Sequence, residues 1–173
     1  MEYQDFEYDF VVRTLHNLEV IEKQIVINKE NNNDTTFYEF TNLINQCLGL
    51  ILLPKQFSEN NSKIALNQEL SYYGLDEGVV TLIKNNKPKT LNHVLHYLRN
   101  GIAHGHIQQV IDGSDDITDI KIWDVNPSIE NPTENDAHTI IEFRVEELKT
   151  FAIKVAKEYC RLKEEELNQQ STQ

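Results

Sequence analysis

Hydrophobic positions recur at spacings of three and four along four stretches of this chain and alternate along two shorter ones. Phe6, Phe10, Leu15, Leu18, Ile21 and Ile25 form a helical stripe with Arg13, Glu19, Glu22 and Lys23 largely off it, which predicts a long helix over residues 5–28. The Asn-rich run at 29–33 is a loop by composition. Asp34 or Thr35 can cap a second helix whose stripe is Phe37, Phe40, Ile44, Cys47, Leu48 and Ile51, with Pro54 marking its end at about Leu53. Polar loops at 58–62 and 84–88 then flank a less regular piece, with one or two short helices around Ile64 to Tyr73 and Val79 to Ile83.

The strongest stripe follows. Leu91, Val94, Leu95, Leu98 and Ile102 predict a central helix, capped by Thr90 and closed by Gly105. Beyond it, Ile117 to Val125 and Thr139 to Val145 are β-rich and partly alternating, and the polar loop 126–137 separates them as in a long-looped β-hairpin. A last helix is expected from Glu146 to about Leu167, with Leu148, Phe151, Val155, Tyr159 and Leu162 inward, ahead of a disordered tail at 168–173. The expectation is a mainly α fold: one domain over residues 1–167, a helical bundle with a β-hairpin inserted before the C-terminal helix.

Composition narrows the class. At 173 residues the chain is long enough for one domain with a substantial core. Its acidic start lacks the basic residues and apolar run of a signal peptide, and no apolar segment approaches the roughly 20 residues of a membrane span. Cys47 and Cys160 both fall in apolar helical patterns, as reduced core thiols of a cytoplasmic protein, and no metal-binding spacing is present. The net charge of −12 argues against broad nonspecific nucleic-acid binding. One segment departs from this. From Gly78 to Ile111 there is no Asp or Glu, but there are Lys84, Lys87, Lys89, Arg99 and four of the six histidines.

That segment holds the candidate chemistry. On a helical wheel His93, His96, Arg99, Asn100 and His104 fall within an arc of about 140°, opposite the apolar stripe. Arginine offers a planar, permanently charged fork for phosphate oxygens, and histidine titrates near working pH. Residue type alone leaves other roles open. Arg99 equally reads as a structural arginine bonding helix carbonyls or an acid such as Glu146, and His104 as a partly buried histidine at a helix end. His93, His96 and His106 read as surface residues, Tyr97 as packing, and Lys89 as part of a solvated loop that can touch an RNA backbone. A zinc site from the four histidines lacks supporting cysteine or carboxylate ligands, so no metal or other cofactor is expected.

The stretch Leu98-Arg99-Asn100-Gly101-Ile102-Ala103-His104-Gly105 resembles the Arg-polar-x3-His signature of the HEPN superfamily, helical-bundle domains that include many RNases of toxin–antitoxin, phage-defence and RNA-processing systems. Phe10 to Leu15, Phe37 to Gln56 and Ile120 to Asp124 resemble stand-alone, plasmid-associated bacterial members, so the likeness extends over roughly residues 6 to 160. The resemblance implies a metal-independent endoribonuclease with Arg99, Asn100 and His104 as catalytic residues; His93, His96, His106 and Lys89, in the same acid-free segment, are the candidate substrate contacts. It further implies a homodimer in which two motifs face one cleft, RNA as substrate, and a possible antitoxin or defence-system partner. The alternative is a non-catalytic RNA- or nucleotide-binding or assembly module. Where one HEPN subgroup carries a tyrosine that a partner nucleotidyltransferase modifies, this chain has His106, which argues against that partner.

Overall fold

The computed structural model describes residues 5–31, 39–60, 66, 68–83, 90–111 and 117–170. Helix α1 spans Phe6–Glu30, with the Asp5 carboxylate accepting the Tyr8 N–H at its start. Helix α2 spans Glu39–Cys47, a π-helical turn occupies Leu48–Leu52, and α3 spans Leu53–Asn60. Strand β1 spans Val80–Ile83, and α4, the central helix, spans Leu91–Ala103. Strands β2 (Ile107–Ile111), β3 (Ile117–Asp124) and β4 (Thr139–Arg144) follow, and α5 spans Val145–Gln170. The strands form one antiparallel sheet in the order β1-β4-β3-β2.

The mainly α fold is as the sequence predicts, and so is the β3–β4 hairpin, whose register pairs Ile120 with Phe143 and Ile122 with Ile141. The hairpin is the centre of a larger sheet. Val80 to Ile83, expected as a short helix, is instead an edge strand against β4. Its residues are β-branched or leucine, and β4 offers an open backbone edge, so long-range pairing overrides a weak local preference. Strand β2, which no alternation announced, fills the other edge.

Four other details differ. Pro54 does not end a helix. It is the second residue of α3, directly after the π turn, and helical backbone runs without a break from Glu39 to Asn60. On α1 the buried line runs through Val11 and Leu18, seven residues apart, and Phe6 is 56% exposed because it lies about 140° around the helix from Val11. Near Tyr73 the expected helix is a 3₁₀ turn over Leu70–Tyr73. Helix α5 continues to Gln170, three residues into the expected tail. The expected cap at Asp34 or Thr35, the stripe position Phe37, and Ile64 lie outside the described residues.

The core lies where α1, α4, α5 and the π turn meet one face of the sheet, with Leu98, Phe143, Phe151, Val155 and Tyr159 at or near zero exposure. Polar links tie α1 to α5: Lys149 meets Glu22 at 2.6 Å, and Lys163 lies 3.3 Å from Asp5 and 3.5 Å from Glu7. Cys47 and Cys160 are buried and free, and burial pushes both thiols up to about 12. Among the described residues no helix is long and apolar enough to cross a membrane.

Candidate functional site

Helix α4 buries its stripe as predicted: Leu91, Val94, Leu95, Leu98 and Ile102 are each 7% exposed or less, and Tyr97 packs beside them at 4%. Thr90 caps it in extended conformation, its hydroxyl accepting the His93 N–H and lying 2.8 Å from His93 Nδ1. The other end stops at Gly105, whose φ of +71° is open to glycine at little cost. There the Gly105 N–H bonds to the Ile102 carbonyl at 3.1 Å and the His106 N–H to the Gly101 carbonyl at 2.8 Å, the paired bonds of a left-handed helix terminator.

Gly101 sets how close α4 comes to β3. A methyl group there would stand 2.4 Å from Ile122 Cγ2 and 2.9 Å from the Trp123 carbonyl oxygen. The approach brings the motif against the end of β3. Asn100 Nδ2 donates to Asp124 Oδ2 at 3.1 Å and lies 3.3 Å from His96 Nε2. Asp124 is only 5% exposed. Its Oδ1 accepts the Val125 N–H at 3.1 Å, and its Oδ2 is 3.5 Å from His138 Nε2. His138 is held in turn by its N–H to the Asp124 carbonyl, by Thr139 Oγ1 at 3.1 Å from Nδ1, and by an edge contact with Tyr97.

A second group lies at the helix end. The exposed ring of His104 is 5.8 Å from that of His106, and His106 stacks on Trp123 at 5.7 Å and 10°. The Trp123 N–H bonds to the His106 carbonyl at 3.1 Å, which fixes the pair across β2 and β3. Trp123 alternates with the buried Ile122 and Asp124, so these rings belong to the opposite face of the sheet from the core. His106 Nδ1 and Trp123 Nε1 are buried without a hydrogen-bond partner among the described residues.

The seven residues singled out from sequence therefore divide. His96 and Asn100 come together with Asp124. His104 comes together with His106. Arg99 is partly exposed on α4 between them, and His93 turns back to the N-terminal cap. Lys89, like Lys84 and Lys87, lies outside the described residues. Asn100 stands one turn before His104, but the imidazole it meets is His96, one turn back. Two residues escaped the sequence reading. Asp124 carried a signal, an acid on the buried phase of an alternating strand after Ile120 and Ile122. His138, in a polar connection, carried none. Among the described residues no three His, Cys, Asp or Glu side chains are placed to share a metal ion.

The fold is thus a helical bundle whose central helix and its C-cap carry a basic residue, an amide and an imidazole. The model of the HEPN pEK499 p136 family matches residues 1–166, and the chain belongs to that family. No curated protein and no solved structure matches it.

Proposed function

We propose that the protein is a metal-independent endoribonuclease, with Arg99 and His104 as its catalytic pair. The observation that carries this reading is that Arg99 on α4 and His104 at its C-cap both reach the surface, while the other face of the helix is sealed in the core. RNA brings its own nucleophile. A base takes the 2′-OH proton, O2′ bonds to phosphorus, the P–O5′ bond breaks, and an acid protonates the departing oxygen. The products are a 2′,3′-cyclic phosphate and a 5′-OH. Imidazole suits both transfers, and guanidinium holds the phosphoryl oxygens as charge grows on them.

One motif supplies a single His104, so two protomers pair across a twofold axis and present two imidazoles and two guanidinia to one strand. Such an enzyme acts in the cytoplasm as a toxin or phage-defence effector, restrained by an antitoxin or a defence-system partner. The test is single-stranded RNA incubated with the protein in EDTA. His104→Ala is expected to lower cutting by about 100-fold or more, as loss of an acid–base group does. Arg99→Ala is expected to lower it by a similar factor, through lost transition-state charge stabilisation. Cutting that survives both substitutions would defeat the assignment.

A second reading, a module that binds RNA without turnover, draws support from the ring array His104, His106 and Trp123. Stacked rings suit unpaired bases, and His104 contacts this array rather than Asn100. Binding without any cutting in the same assay favours it.

A further inference from the structure

We propose that the outer edge of β2 is a docking site for a partner polypeptide, which adds to the sheet as an extended strand and sets an apolar side chain into the cavity beside Gln109.

The backbone comes first. The Trp123 N–H bonds to the His106 carbonyl, and the register pairs Ile107 with Ile122, Gln108 with Lys121 and Gln109 with Ile120. Bonding alternates along an antiparallel ladder, so His106 and Gln108 face β3, while Ile107 and Gln109 turn their backbone groups away from it. The Ile107 N–H is taken by the Gly105 carbonyl at 2.9 Å. The Ile107 carbonyl and both backbone groups of Gln109 meet no other described strand, because β2 is the last in the sheet. Two acceptors and a donor at strand spacing fit the backbone of another extended chain.

Native sheets blunt such edges with charges, proline or a bulge. The opposite edge does so: the register of β1 against β4 shifts between Val80 and Leu82. Ile107–Ile111 holds no Lys, Arg, Asp, Glu or Pro, and its register runs unbroken from Ile107 to Val110.

The cavity gives the side-chain chemistry. Gln109 lies opposite the buried Ile120, so its side chain is on the core face. There it lines a cavity of about 870 Å³ whose walls include Ile25, Phe40 and Ile117. A residue paired with Gln109 points to the same face, and so toward that cavity. Glu22, Glu146, Lys29 and Lys149 also line it and balance in charge, so an uncharged, apolar side chain suits it.

A second copy of this chain is the other candidate for the edge. Antiparallel pairing of two β2 strands centred on Gln109 would hold the two His104 residues roughly 34 Å apart, at about 3.4 Å per residue. That is incompatible with the shared cleft proposed above. This one step rests on the ribonuclease reading; the docking site does not.

The probe is an amidated peptide, Lys-Leu-Thr-Leu-Thr-Leu-Lys, titrated into the isotope-labelled protein; its lysines oppose the net charge of −12. Expected are slowed hydrogen exchange at the Gln109 amide and shifted methyl signals from Ile25 and Ile117. Methylating the backbone nitrogen of the central leucine, or replacing that leucine by aspartate, should each weaken binding about tenfold or more. Gln109→Pro should do the same without unfolding the protein, because the N–H it removes makes no ladder bond. Gln108→Pro, which removes one, should lower the urea midpoint. No protection at Gln109 with millimolar peptide, or equal binding of either altered peptide, overturns the proposal. So does a dimer that Gln109→Pro converts to monomer, which makes this edge a contact between copies. None of these measurements uses RNA, so failure of the enzyme assignment leaves them standing.

Discussion

A buried carboxylate stays charged only where donors surround it, and Glu158 shows the consequence for pH. It is 5% exposed, accepts two bonds from Arg161 at 2.9 Å, and takes the Tyr72 hydroxyl at 3.2 Å. The Arg161 guanidinium holds its carboxyl below the usual range, outweighing the burial that pushes it up. A lowered folded value means stability that is present above the unfolded value, about 4.3, and lost as pH falls through the folded one. The urea midpoint should therefore drop as the pH is taken from 6 to 3. Glu158→Gln should unfold at lower urea at pH 6 and show a shallower acid limb, the two curves converging at low pH. Parallel curves would place the acid sensitivity in other carboxyls. The stretch Leu98 to Gly105 singled out Arg99, Asn100 and His104 from sequence because they lie within six consecutive positions. It left Asn100's partner open, because Asp124 is 24 residues away along the chain.

Elements meet through backbone, and the α4–β3 contact is the tightest case. Gly101 leaves no room for a methyl group, since both the Ile122 side chain and the Trp123 carbonyl stand within 3.0 Å of where it would sit. Gly101→Ala would raise helix propensity but force α4 off the strand. The net expectation is a loss of about 1–3 kcal/mol, the usual result of overpacking a filled site, read from the thermal or urea midpoint. The displaced helix should also lose the Asn100–Asp124 bond, so cutting should fall further than stability alone explains. An unchanged midpoint would show that the two elements slide apart freely. The π turn at Leu48–Leu52 is a second contact that local pattern cannot announce. Gly49 there lies against Thr14 and Phe10 of α1, and the apolar stripe runs on through the turn as if one helix continued.

At the scale of the whole molecule, the proposed dimer makes a prediction that no single chain can satisfy. Arg99→Ala and His104→Ala proteins, each inactive alone, are unfolded together, refolded as a mixture and assayed on RNA. A cleft shared by two protomers then holds one intact arginine and one intact histidine, and cutting should return in part. If each protomer carries a complete site, every motif in the mixture is broken and the mixture stays inactive. The charge distribution acts at this scale too. The acid-free stretch 78–111 lies in a chain of net charge −12, and the fold sets Asp124 directly against it. The candidate face is thus less uniformly cationic than its sequence, and binding there depends on placed donors more than on a broad field.

By itself the sequence determined the caps, stripe and exposed arc of α4, the helical character of α1 and α5, and the β3–β4 hairpin. Each follows from interactions within a few turns or a few paired residues, which periodicity and end residues record directly. Only the tertiary structure decided that Val80 to Ile83 joins the sheet, that helical backbone continues through Pro54, and that Asn100 turns toward Asp124 and His96 rather than His104. These depend on which distant backbone lies alongside and how closely it approaches. A neighbour found only after the chain has closed on itself leaves no period in the sequence for a local reading to find.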